Sequence, residues 1–235
     1  MRGGAKVSVI IPALNEEASI GGVLAEIPVW VDQVLVVDNG STDRTAAMAR
    51  AAGACVLDQP ERGYGAACLL GIEALGAPDG PDDVVVFLDG DHADSPGEMA
   101  RLADLIVAGE ADVVVGSRVR GSREPGALTP QARFGNWLAC GLMRLLWGTR
   151  YTDLGPFRAI RHRELLGLGM RDRNYGWTVE MQVRAAQHGL ATLEVPVSYR
   201  RRRVGRSKVS GTVRGVVGAG TKILGTILVL AMRGR

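Results

Sequence analysis

Val84-Val85-Val86-Phe87-Leu88-Asp89-Gly90-Asp91 joins an unbroken apolar run to two carboxylates one residue apart. A short Val-rich run without polar interruption reads as a strand buried on both faces, as in a parallel sheet. Such a strand delivers the residues after it to the carboxyl edge of the sheet, where open α/β folds bind their ligands. Two carboxylates there can share one hard cation, which takes oxygen ligands and keeps positions open for phosphates. Asp-Gly alone is an ordinary turn signal, so the choice rests on the remaining chain.

The same pattern recurs on either side. Residues 7–11 read as a buried strand, and residues 16–27 carry Ile20, Val23, Leu24 and Ile27 at helical spacing. Residues 34–37 form a second strand ending at Asp38, and Ser41-Thr42-Asp43 supplies capping chemistry for a helix to about Ala52. A strand over 55–57, a helix over 65–75, a strand over 83–88, a helix over 96–107 and a strand over 112–115 complete the run. This βαβα alternation predicts an α/β fold with a mostly parallel sheet and helices on both faces. Beyond Gly116 the pattern changes to a polar loop over 117–130, amphipathic helices over 134–147 and 179–188, and a strand over 191–199. Pro196 assigns that last strand to a sheet edge. The expected division is a body over 1–211 and an apolar, basic helix over 212–235.

Composition narrows the partners. With 46% hydrophobic residues and 32 glycines in 235 residues, the chain has material for a sizeable core and no signature of disorder. Cys55, Cys68 and Cys140 are odd in number and widely spaced, which suits reduced thiols in a cytoplasmic protein. His92, His162 and His188 have no ligand spacing, which argues against zinc. The amino terminus runs straight into a strand and is not expected to be a signal peptide. Ten of the 28 Lys and Arg residues lie from Tyr199 onward with no acidic residue among them, leaving 18 basic against 25 acidic residues before it. An acidic body with a basic tail suggests that the tail meets something anionic. Nucleic acid, phosphate groups and a membrane surface all qualify, and composition does not choose among them.

The polar clusters follow the strands. Strand one runs into Pro12-Ala13-Leu14-Asn15-Glu16-Glu17, strand two into Asp38-Asn39-Gly40-Ser41-Thr42-Asp43, strand four into residues 89–94, and strand five into Gly116-Ser117-Arg118. Neither a GxGxxG after strand one nor a GxxxxGK[ST] is present, so this is a carboxylate crevice and not a glycine cradle. Gly63-Tyr64-Gly65 reads as a turn before a helix. Acidic side chains repel a diphosphate unless a divalent cation intervenes, and the metal then stabilises charge on a departing nucleoside diphosphate.

Five segments together resemble the family-2 glycosyltransferases of the GT-A fold, in the branch of dolichol-phosphate mannose synthase. They are Ile11-Pro12-Ala13-Leu14-Asn15-Glu16-Glu17, Val37-Asp38-Asn39-Gly40-Ser41-Thr42-Asp43, Asp89-Gly90-Asp91, Asp153-Leu154-Gly155-Pro156-Phe157-Arg158 and Gly205-Arg206-Ser207-Lys208. The resemblance implies that Pro12, Ala13, Leu14, Asn15, Glu16, Asp38, Asn39 and Ser41 hold the nucleoside. It implies that Asp89 and Asp91, around Gly90, bind Mg²⁺ or Mn²⁺ and with it the donor diphosphate. Arg118 falls in the donor-side loop, Arg206 and Lys208 in the segment that closes on phosphates, and Glu180 near the acceptor. The sequence departs from the branch at Ala93, where many relatives carry a Gln, so that water, His92 or Asp94 would complete the metal shell. Asp94 reads better as a cap before Pro96. Asn39 replaces a second Asp. A QxxRW signature is absent, which implies transfer of one sugar and not polymerisation.

The implied reaction is inverting displacement from a nucleoside-diphosphate sugar of the UDP-glucose or GDP-mannose type. A hydroxyl acceptor needs a general base, whereas a phosphate monoester, with a second pKa of about 6, is already anionic at neutral pH. Arg206 and Lys208 suit a phosphate acceptor, which makes a polyprenyl phosphate the expected partner and Glu180 and Asp153 positioning groups. The alternatives are a soluble enzyme acting on a hydroxyl, a nucleotidyltransferase, and a non-enzymatic module binding nucleic acid or anionic lipid through the basic tail; the acidic body argues against the last, and no nucleic-acid partner is expected. The tail is expected as an interfacial helix on the inner face of a membrane or as a helix packed on the body or on a second subunit.

Overall fold

The computed structural model describes residues 1–202 and 213–233; Arg206, Ser207 and Lys208 lie outside the described residues. The strands are β1 (Val7–Ala13), β2 (Gln33–Asp38), β3 (Cys55–Asp58), β4 (Val84–Phe87), β5 (Val113–Ser117), β6 (Arg158–Arg161) and β7 (Thr192–Pro196). The helices are α1 (Ile20–Ala25), α2 (Thr45–Ala51), α3 (Tyr64–Leu75), α4 (Met99–Val107), α5 (Pro130–Trp147), α6 (His162–Gly167), α7 (Trp177–Gln187) and α8 (Val213–Arg233). The sheet order is β3-β2-β1-β4-β6-β5-β7. Only β6 runs antiparallel to its neighbours β4 and β5, so the expected mostly parallel α/β sheet is what forms.

Alternation along the strands sorts the core into two layers. Ile10, Val85, Phe87, Val113 and Val115 face α3, α5, α7 and α8. Val9, Ile11, Val84, Val86, Leu88 and Val114 face α1 and α4 on the other side. Each such side chain taken fully from water contributes roughly 1.5–3 kcal/mol. This two-sided burial is why β1, β4 and β5 read as continuous apolar runs.

Several boundaries differ from expectation for local reasons. Helix α1 begins only at Ile20, because residues 16–19 form a turn in which Ser19 N and Ile20 N both donate to Glu16 O. Pro96–Glu98 is a 3₁₀ turn that leads into α4. Strand β6 has no apolar run to announce it. Arg158 is fully buried there, with its guanidinium donating to Leu154 O, Gly155 O and Thr178 O. Arg161 reaches Asp82, Asp112 and Ile106 O. Strand β7 stops at Pro196 on the sheet edge, as the proline requires. The glycines of Gly63-Tyr64-Gly65 serve a close approach as well as a turn: a Cβ added at Gly65 would stand 2.0 Å from Asp172 O, and one added at Gly63 (φ +156°) 2.1 Å from Arg173 O.

Helix α8 packs on α5 and α7, burying Ile227 and Leu230. Lys222, the charge in its middle, pairs with Asp172 at 2.8 Å. Among the described residues no helix is long and apolar enough to cross a membrane.

Candidate active site

The carboxyl ends of β1, β2, β4 and β5 converge, and hydrogen bonds stitch their loops together. Pro12 and Ala13 are the last residues of β1, in register with Val37 and Asp38. Asn15 takes a left-handed conformation (φ 52°). Its backbone N–H donates to Ser41 Oγ at 2.9 Å and its Oδ1 accepts from Thr42 N at 2.8 Å. Leu14 is half-buried beside it. Glu16 N donates to Thr45 Oγ1 at 2.7 Å. Hydrogen bonds therefore join the 15–16 and 41–45 loops into one unit.

Within that unit Asp38 is buried, and its Oδ1 has no hydrogen-bond partner among the described residues. A buried carboxylate oxygen left this way is costly and is an acceptor available to a ligand N–H or O–H. Asn39 is committed differently. Its Nδ2 donates to Gln59 O and Glu61 O while its Oδ1 accepts from Gly63 N. It fastens the 59–63 loop behind the crevice, with both amide protons spent inside the protein.

Asp89 and Asp91 stand at the end of β4. Gly90 lies against Ala13, Ile11 and Ile20, and its carbonyl accepts from Ser19 Oγ at 2.9 Å. Asp89 Oδ1 is buried without a partner among the described residues. Burial first, and then the Asp91 charge, push the Asp89 carboxyl up to about 7. Asp91 Oδ1 accepts from Ala93 N at 3.0 Å, and its Oδ2 faces Arg202 Nε at 3.2 Å. Among the described residues no group of three or more His, Cys, Asp or Glu could hold a metal. Asp89 and Asp91 offer two carboxylates, a set that would suit Mg²⁺ or Mn²⁺ completed by water and substrate phosphates. An unpartnered buried oxygen and a repelling carboxylate pair are what a cation would relieve.

Two readings of this turn need correction. His92 does not complete a metal shell: its ring is turned to Glu26 Oε1 at 2.9 Å and to Arg200. Asp94 is not a cap, since Ser95 holds that position with no side-chain bond. Both Asp94 oxygens are buried without partners among the described residues, and burial together with the Asp89 charge holds its carboxyl well above the ordinary range.

Arg118 and Glu180 are bound into the protein. Arg118 meets Asp153 in a fork, Nε to Oδ2 at 2.8 Å and Nη2 to Oδ1 at 2.7 Å, and lies over the Tyr199 ring. Asp153 is fully buried and also accepts from Arg118 N and Asn136 Nδ2. Burial opposes its ionised form, yet Arg118 and these donors bring its pKa below the usual value. Glu180, on α7, accepts from Arg171 N, Asp172 N and Arg184 Nε. Trp177, at the start of α7, is fully buried with its ring edge-on to Phe87 and Tyr64. The contact of Arg202 with Asp91 and Glu16 had no signal in the sequence beyond a run of arginines.

Comparison with known proteins agrees with this geometry. The family model described as Glycosyl transferase family 2 matches residues 8–168. An uncharacterised glycosyltransferase of Mycobacterium tuberculosis is 39% identical over 91% of this chain and 94% of its own. The dolichyl-phosphate hexose transferase of Haloferax volcanii is 36% identical, covering 83% of each chain. The undecaprenyl-phosphate mannosyltransferase of Micrococcus luteus is 33% identical over 91% of this chain and 90% of its own. Among solved structures, glucosyl-3-phosphoglycerate synthase from Mycobacterium tuberculosis, in complex with Mn²⁺, UDP-glucose and phosphoglyceric acid, is 25% identical with a TM-score of 0.76, over 97% of this chain and 80% of that one. The mostly parallel sheet, the loops gathered at its carboxyl edge and the matched family model give one conclusion: the chain is a glycosyltransferase with a GT-A-like fold and belongs to glycosyl transferase family 2.

Proposed function

We propose that the chain transfers one hexose, with inversion, from a nucleoside-diphosphate sugar to a polyprenyl phosphate. Asp38 accepts from the base or ribose at its buried oxygen, and the stitched 15–17 and 41–45 loops keep that subsite rigid. Asp89 and Asp91 hold the divalent cation, which supplies charge neutralisation to the departing diphosphate. Asp153 and Arg118 lock the strand-five loop, and Glu180 holds residues 171–172, so each acts by positioning. Arg206 and Lys208 are assigned to the acceptor phosphate from their sequence alone.

One observation carries the choice of a lipid-linked acceptor. From residue 125 to 152, and again through α8, there is no Asp or Glu. Along α5 an apolar stripe at helical spacing is exposed, with Phe134 at 62%, Trp137 at 69% and Leu145 at 80%, flanked by Arg133 and Arg144. On α8, Leu228, Val229 and Met232 are exposed as well. Between the helices an apolar groove of about 510 Å³ is lined by Phe134, Leu138, Ile223 and Leu224. An acid-free, basic-flanked apolar face suits the interface of an anionic bilayer, where a polyprenyl phosphate would be met. The phosphoglyceric acid complex of the structural neighbour favours a second reading, a small soluble phosphate acceptor.

The test is a panel of UDP- and GDP-sugars with Mg²⁺ or Mn²⁺ and either a short polyprenyl phosphate or 3-phosphoglycerate, reading the diphosphate released. Turnover only with the lipid phosphate supports the proposal, and turnover only with phosphoglycerate selects the second reading. Liposome flotation of Trp137→Ser/Leu145→Ser against the parent chain checks the surface, and equal flotation of both would remove α5 from it.

A further inference from the structure

The Asp89–Asp91 corner already contains a cation, and that cation belongs to the chain. Arg202 Nη2 lies 2.7 Å from Glu16 Oε1 and 3.2 Å from Asp91 Oδ2, with Nε also 3.2 Å from the latter oxygen. The two arginines before it are committed elsewhere. Arg200 pairs with Glu26 and Ser95, and Arg201 meets Pro125 O and, through its backbone N–H, Glu124. Backbone contacts register this segment on the metal turn itself: Arg200 N donates to Ala93 O at 2.8 Å, and Tyr199 bridges Asp94. Arg202 therefore reaches the carboxylates from a fixed base.

We propose that Arg202 is a positioning residue that stands in for the divalent cation, holding Asp91 and Glu16 in place in the metal-free chain and leaving Asp91 Oδ2 when a divalent cation is bound. The inference rests on the metal-dependent reading above. Carboxylates gathered in a partly buried corner repel one another and would turn outward or take up protons without a counter-charge. A guanidinium supplies that charge in fork geometry. It leaves Asp89 Oδ1 without a hydrogen-bond partner among the described residues, an oxygen whose charge a divalent cation held by Asp89 and Asp91 would neutralise. Exchange of one cation for the other follows from this difference.

The experiment titrates Mn²⁺ alone into the full chain by calorimetry, for the parent, Arg202→Met, Arg202→Lys and Arg200→Met. If binding requires displacement, the competing pair lowers apparent affinity by the fraction of corners it leaves open. Arg202→Met is expected to tighten Mn²⁺ about tenfold, and Arg202→Lys to fall between it and the parent. Arg200→Met removes an equal charge nearby without vacating Asp91, so its effect should stay under about twofold at physiological salt. Unchanged or weaker binding in Arg202→Met overturns the proposal, as does equal tightening in Arg200→Met. A second readout needs no variant. Trypsin must take the arginine side chain into its own pocket, so Mn²⁺ should accelerate cleavage after Arg202 in the parent, and an unchanged rate also overturns it. A parent chain that binds no Mn²⁺, with or without UDP, defeats the metal reading instead and takes this inference with it.

Discussion

Asp153→Asn tests how the crevice is braced. In the parent the carboxylate is fully buried and takes four hydrogen bonds, from Arg118 N, Nε and Nη2 and from Asn136 Nδ2. The amide keeps the volume but removes the charge, and it turns a donor toward a guanidinium that can only donate. Breaking a buried pair from one side leaves an uncompensated charge and costs about 3–5 kcal/mol. For a chain of this size each kcal/mol moves Tm by about 2–4 °C, so the expected drop is roughly 6–20 °C. The pH dependence has a fixed sign. The folded pKa of Asp153 is depressed, so its contribution is fully present above the unfolded value of about 3.9 and fades as pH falls through the folded one. The assay is urea unfolding of parent, Asp153→Asn, Arg118→Met and the double variant at pH 7 and at pH values stepping down below about 3.9. A loss under about 1 kcal/mol at pH 7, the range of exposed pairs, would refute the buried brace. So would additivity of the two single changes, because partners in contact must couple.

Other outcomes follow from the same geometry. Asp89→Ala or Asp91→Ala should abolish transfer and Mn²⁺ binding while the fold melts normally, and full activity in excess EDTA would defeat the metal assignment. Glu180→Gln should cost about 1–3 kcal/mol of stability, because it weakens charge-assisted bonds to residues 171 and 172, yet lower kcat less than tenfold. Loss of turnover with both substrates still bound would make Glu180 a base and favour a hydroxyl acceptor. Gly65→Ala should destabilise the chain markedly in thermal melting, because the new Cβ meets the Asp172 carbonyl oxygen at 2.0 Å. A parent-like Tm would show that the 172–173 backbone can yield.

Much of the fold could be read in advance, because strands buried on both faces leave a one-dimensional trace. The apolar runs at β1, β4 and β5 needed no partner to be recognised, and the carboxylates placed directly after them had to emerge at one edge. Strand β6 left no such trace. Its arginines are tolerated inside the sheet only because carbonyls of the 154–155 loop and of α7, with Asp82 and Asp112, surround them. Helix α5 announced its amphipathic pattern, but that its apolar stripe stays exposed depends on where α8 and α7 come to rest.

The placement of Asp89-Gly90-Asp91, Asp38 and the Asn15 loop at one edge of the sheet therefore followed from order and spacing, which are properties of the chain read locally. The environment of each was not. Whether Asp94 caps a turn or lies buried and unpartnered, whether His92 faces a metal or Glu26, and which cation sits beside Asp91 all depend on side chains far apart in sequence. Glu16, Asp91 and Arg202 meet across 186 positions, and Asn136 and Arg118 meet at Asp153. Local patterning sets where the backbone turns and which faces are apolar. Pairing, burial and charge balance arise only when folding brings distant residues within a few ångströms, and in this protein those contacts set the chemistry of the site.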